Sequence, residues 1–144
     1  MRKIIMKPLL LFTSFIFVIA ALTVSCGFKQ AEEKSKLAVE KFHQQLNAGQ
    51  YQEIYQQGDD KFKESVTEAE FTQVLEAVRR KLGTFQKATF AGGNVNSGTI
   101  GTVATLAYES EFSEGKGTEQ FSFLVSGEEA KLLRYDINSP AFMK

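Results

Sequence analysis

Residues 31–46 carry apolar side chains at helical spacing. Ala38, Val39, Phe42 and Leu46 share one stripe, and Glu32, Glu33, Lys34 and Lys41 fall on the wet side. Asn47, Ala48 and Gly49 supply a stop, with Gly49 suited to a left-handed cap. A short second helix is expected over 51–57, presenting Tyr51, Ile54 and Tyr55, and Gly58, Asp59 and Asp60 interrupt it. Phe62 and Val66 then dock the connection onto the core. The third helix, over 67–82, has the clearest pattern. Thr67 and Glu70 form a capping box, and Phe71, Val74, Leu75, Val78 and Leu82 form a single stripe. Arg79, Arg80 and Lys81 sit at its end, where the helix dipole favours cations, and Gly83 follows as a cap.

From Thr84 the period changes to two. Strands are expected over 84–91, 99–112, 119–125 and 130–137, with turns at Gly92, Gly93 and Asn94, at 113–117, and at 127–129. Alternation sets Leu106, Tyr108 and Phe112 on one face of the second strand, opposite Val103, Thr105 and Ala107, and aligns Phe121, Phe123 and Val125 on the third. Helices first and strands afterwards, joined by short turns, predict an α+β domain with an antiparallel sheet.

The first 25 residues follow another rule. Arg2, Lys3 and Lys7 precede an uncharged, mostly apolar run of 17 residues over 8–24, and the first acid is Glu32. This is the layout of a secretory signal, although a short or tilted membrane span has a similar length. Cys26, the one cysteine of the chain, stands where the run ends. The stretch Leu22, Thr23, Val24, Ser25, Cys26, Gly27 resembles a bacterial lipobox, with Thr23 where a Leu is usual. That resemblance implies acylation of Cys26 after cleavage before it. Two or three acyl chains, at about 0.8 kcal/mol per buried methylene, anchor stably where one is marginal. The expected organisation is a lipoprotein signal peptide over 1–25, a lipidated tether over 26–30 and one domain over 31–144. An uncleaved amino-terminal anchor and an incidental Cys26 are the alternatives. Gly27, in place of an Asp, carries no signal for retention at an inner membrane. The expected location is therefore exported and lipid-anchored, at the outer membrane if the cell has two.

Composition narrows the function. Lys and Arg total 17 against 17 Asp and Glu, and 43% of residues are hydrophobic, which excludes collagen-like and disordered chains. With the three leader cations removed, 14 basic residues face 17 acids, so the exported part is slightly negative and nucleic acid is not an expected partner. One Cys and one His build no thiolate metal cluster, and no phosphate-cradling glycine motif is present. No metal, cofactor or catalytic residue is expected.

Several stretches carry a family resemblance. Leu46, Gly49, Tyr51 and Tyr55 fit an "L-x-x-G-x-Y-x-x-x-Y" signature, and Arg79, Leu82 and Gly83 fit "R-x-x-L-G". Tyr108, Ser110 and Phe112 fit "Y-x-S-x-F", and Leu132, Tyr135 and Ile137 fit "L-x-x-Y-x-I". With three helices before four strands, the chain resembles small bacterial secreted proteins, classed as domains of unknown function, of the nuclear-transport-factor-2-like superfamily, which includes ketosteroid isomerase. The final strand lacks the Trp often found at its start, with Ala130 in that region. The resemblance implies three N-terminal helices packed on a curved, four-stranded antiparallel sheet, leaving a cone-shaped pocket. Its motifs are packing motifs and carry no chemistry of their own.

Residues that could line such a pocket are His43, Tyr55, Tyr108 and Tyr135. His43 lies at the border of its stripe and is read as a packed ring with one nitrogen wet. Glu109, Glu111 and Asp136 are strand carboxylates, and alternation turns Glu109 and Glu111 away from Tyr108. The leading expectation is a non-catalytic binding or interaction module, with a pocket of Phe, Leu and Tyr and no tight constellation of ionisable groups. A sheet face would be free for a homodimer or an envelope protein, and a small apolar ligand is a further candidate partner. The alternative is an isomerase- or dehydratase-like enzyme, which needs His43, Asp136 or Glu109 inside the pocket.

Overall fold

A computed structural model describes the backbone over residues 9–143 and side chains over 26–143. The expected signal peptide, with Arg2, Lys3 and Lys7, lies outside the residues whose side chains are described. Among the described residues, four helices precede four strands: α1 (Leu9–Ala48), α2 (Tyr51–Gln56), α3 (Asp60–Ser65) and α4 (Glu68–Leu82), then β1 (Phe85–Gly98), β2 (Gly101–Phe112), β3 (Gly115–Ser126) and β4 (Glu129–Asn138). A 3-10 turn, Pro140–Met143, follows. The strands form one open antiparallel meander in the order β1-β2-β3-β4, so the α+β class is as the pattern indicates.

The helices bury the expected stripe positions. Val39, Phe42 and Leu46 of α1 and Phe71, Leu75, Val78 and Leu82 of α4 meet Leu106, Tyr108, Phe121 and Phe123 of the sheet. Val74 is the exception at 45% exposed. At about 100° per residue it lies on the flank of the α4 stripe, beyond the reach of the sheet. The capping box is present: Thr67 Oγ1 accepts from the Glu70 amide at 3.3 Å, and the Thr67 amide donates to Glu70 Oε2 at 2.9 Å.

Three local expectations need correction. The three-helix description misses α3, which Asp59 caps by accepting from the Lys61 amide at 3.0 Å, and which buries Phe62. The stretch over 26–30 is helical and exposed, continuous with the core helix. Gly92 and Gly93 form no turn. They sit inside β1 at a register shift, with Gly92 at φ 149°. A side chain at Gly93 would lie 2.8 Å from both Leu106 and the Thr105 carbonyl, so the glycine permits close strand approach rather than reversal. The chain turns instead at Thr99 and Ile100, between the paired Gly98 and Gly101. The later turns are tighter than expected, two residues each at Ser113 and Glu114 and at Gly127 and Glu128.

Candidate functional site

Register determines which polar side chains meet inside the domain. Glu119 of β3 stands opposite Tyr108 of β2, Ser110 opposite Gly117, and Tyr135 of β4 opposite Phe121. Ser110 and Tyr135 are thus the diagonal neighbours of Glu119 on the core face. From the other side, α1 presents His43, one turn from Val39 and Leu46. Three side chains converge on the Glu119 carboxylate. Glu119 Oε2 lies 2.7 Å from His43 Nε2 and accepts from Ser110 Oγ at 2.5 Å, and Oε1 accepts from the Tyr135 hydroxyl at 2.8 Å. Glu119 is wholly buried, and His43 is 4% exposed.

Rings seal this cluster. His43 stacks on Phe85 with ring centres 3.7 Å apart and planes nearly parallel, and Phe42 and Phe121 approach it edge-on at 5.8 and 5.7 Å. The stack is held in place by Asn47 at the end of α1. Its amide nitrogen donates to the Phe85 carbonyl, and its oxygen accepts from the Phe85 amide, both at 2.9 Å. A buried carboxylate without partners is costly to desolvate, and three donors on one carboxylate offset that cost. The Tyr135 hydroxyl keeps its proton well above the usual tyrosine range. Burial is the main cause, and the charge and hydrogen bond of Glu119 add to it.

The expected pocket residues separate. His43 and Tyr135 join at Glu119. Tyr55 turns away, donating to the Val66 carbonyl at 3.0 Å, with its ring against Phe62 and Phe71. Tyr108 packs edge-on against Phe90 and Phe121, and burial raises its pKa. Glu109 and Glu111 bond Thr118 and Lys116 on the outer face, and Asp136 pairs with Arg134 at 2.6 Å. Two expectations change. The candidate rings of His43, Tyr55, Tyr108 and Tyr135 pack into the domain, and a tight constellation of ionisable groups does exist. Moreover, His43 Nε2 has a carboxylate as its partner.

The residue that sequence reasoning missed is Glu119. The signal was present, because Glu119, Phe121, Phe123 and Val125 alternate in phase and one inward residue of the four is an acid.

An accessible concavity lies elsewhere. A cleft of about 670 Å³ opens between α1, the α2–α3 connection and β4. Leu37, Phe42, Ile54 and Leu132 line its apolar part, while lysines such as Lys41 and Lys63 stand near Asp59, Asp60 and Glu129. His43, Tyr55, Tyr108 and Tyr135 are not among its lining residues. Among the described residues, no group of three or more His, Cys, Asp or Glu side chains could hold a metal. Cys26, exposed on α1, is a free thiol.

The family described as "Protein of unknown function (DUF3887)" matches residues 39–132, well over half of the chain, and the chain belongs to that family. No curated protein matched it.

Proposed function

We propose that this member of the family is exported and anchored to a bacterial membrane through lipid on Cys26, and that its domain binds or interacts without chemistry of its own. The nuclear-transport-factor-2-like resemblance belongs to the same proposal. The observation that carries it is the sealing of the His43–Glu119 cluster. Acid–base groups poised for a substrate need access from solvent, yet His43 is stacked under Phe85 and Glu119 is wholly buried. The groups that do reach solvent, Glu109, Asp136 and the lysines of the cleft, are dispersed or paired at the surface. A protein whose ionisable cluster is structural and whose open concavity mixes apolar and charged groups suits recognition better than catalysis.

One observation favours the enzymatic reading: an imidazole and a phenol each stand within hydrogen-bond reach of one carboxylate. That reading requires the Phe85 stack to open.

Native mass spectrometry of the full-length product, extracted from its own membranes, tests the proposal. Acyl mass on a chain beginning at Cys26 is the expected result, with a further discrete mass if the domain carries a small ligand. An uncleaved, unacylated chain would refute the anchoring. A Cys26→Ala chain that still partitions into the detergent phase after normal processing would do the same.

A further inference from the structure

We infer that the β1–β2 hairpin tip, with Ile100 at its apex, and Phe28 on α1 together form a face that contacts the lipid surface. The proposal rests on the lipid anchor at Cys26. It adds that the domain stands end-on at the membrane rather than swinging on a leash.

The geometry begins with the direction of α1 along the sheet. Near its end, Asn47 bonds the first residue of β1, Phe85. Eight residues after Cys26, Lys34 donates to the Gly127 carbonyl and pairs with Glu128 at 3.1 Å, both in the β3–β4 turn. The β1–β2 turn is at that same end of the sheet, because Thr102 pairs with Val125 just before the β3–β4 turn. The amino-terminal part of α1 and both turns therefore point the same way. At about 1.5 Å per residue, Phe28 lies roughly 9 Å and Cys26 roughly 12 Å beyond Lys34 along the helix axis. No flexible stretch intervenes, since residues 26–34 are helical and continuous with the buried stripe. Acyl chains on Cys26 would hold this end within reach of the headgroups.

The side chains at that end are unusual for their positions. A two-residue hairpin tip ordinarily carries Gly, Asn or Asp, which suit tight turns and water. Here the turn is Thr99 and Ile100, and Ile100 is 47% exposed. Phe28, two residues from the anchor, is 39% exposed on α1, between Gly27 and Lys29. Neither is needed by the core. Both are spent on solvent unless an apolar phase meets them, and an acylated Cys26 brings one to this end.

The chain contains no tryptophan, so a single introduced one reports on its own surroundings. The experiment uses the full-length product purified from membranes, its acyl mass verified, and reconstituted into phosphatidylethanolamine–phosphatidylglycerol vesicles with and without lipids brominated in mid-chain. Ile100→Trp and Phe28→Trp are the reporters. Phe142→Trp is the control, in the 3-10 turn near Lys116 at the far end of the sheet, where Ser139 bonds the Lys116 carbonyl. Interfacial side chains sit roughly 5–10 Å into the headgroup boundary, so about twofold quenching is expected for both reporters and none for Phe142→Trp. Acylated, vesicle-bound protein in which neither reporter is quenched, or in which all three are quenched alike, would overturn the end-on face while leaving the anchor intact. A concentration-dependent blue shift of Ile100→Trp without lipid would assign the tip to a second copy and also overturn it. An absence of acyl mass would remove the anchor and this face with it.

Discussion

Glu119 is the most consequential single residue to perturb. Replacing it with Ala strands the Ser110 hydroxyl, the Tyr135 hydroxyl and the His43 imidazole, all of which now meet its two oxygens at 2.5–2.8 Å. A buried donor left without a partner costs about 1–3 kcal/mol. The serine hydroxyl can rotate and the Tyr135 side chain is partly buried rather than sealed, so the three do not add in full. A loss of about 4 kcal/mol is expected for Glu119→Ala, a large share of the roughly 5–15 kcal/mol that holds an ordinary domain. Glu119→Gln keeps the volume and one accepting oxygen but turns a donor toward a donor, for a loss of about 2 kcal/mol. Urea unfolding followed by far-ultraviolet circular dichroism measures both, and an unchanged slope with denaturant would show that only stability moved. The cycle of Glu119→Ala with Tyr135→Phe should show coupling of about 0.5–3 kcal/mol. A loss under about 1 kcal/mol for Glu119→Ala would refute the reading that this carboxylate organises the core.

Three further outcomes are expected. Tyr135 holds its proton above the pH at which an unfolded tyrosine, near 10, releases it. Its contribution is intact below that pH and declines as pH rises toward the folded pKa, so Tyr135→Phe should flatten the alkaline loss of stability in a pH series of melts, with a remainder from Tyr108. Gly83 has φ 81°, and a Cβ there would lie 2.0 Å from Ser113 Oγ, which accepts from the Thr84 amide. Gly83→Val should therefore cost about 2–3 kcal/mol in the same urea assay, and a neutral result would mean that α4 ends differently. Thr67→Ala removes the acceptor of the α4 capping box and should cost about 1 kcal/mol, measured as a lowered thermal midpoint.

Much of the fold was legible because its elements obey local rules. The α4 helix has its box, stripe, terminal cations and glycine within one short segment, and each is a near-neighbour effect. Period-two alternation correctly turned Tyr108 and Phe112 inward and Glu109 outward. The same local reading erred where two roles share one residue type. Gly92 and Gly93 look like a turn in sequence, and only the proximity of Leu106 on the neighbouring strand shows them as a place of close approach. The short helix α3 escaped notice because it has no stripe of its own: Phe62 packs against Tyr55 and Phe71, and the Asp59 amide at its cap bonds the Leu132 carbonyl of β4.

The candidate site divides along the same line. Sequence reasoning brought forward His43 and Tyr135 but not Glu119, although Glu119 lies in phase with the inward phenylalanines. It could not place them together, because His43 and Glu119 are 76 residues apart and meet only through the docking of α1 on the strand register. The apolar run ending at Cys26 and the helical and strand periods are properties of contiguous residues, set by how each side chain meets water and its neighbours three or four places away. Which polar groups are buried, what satisfies them, and which end of the sheet accompanies Cys26 depend on contacts between distant segments. Those contacts exist only once the helices have closed over the sheet.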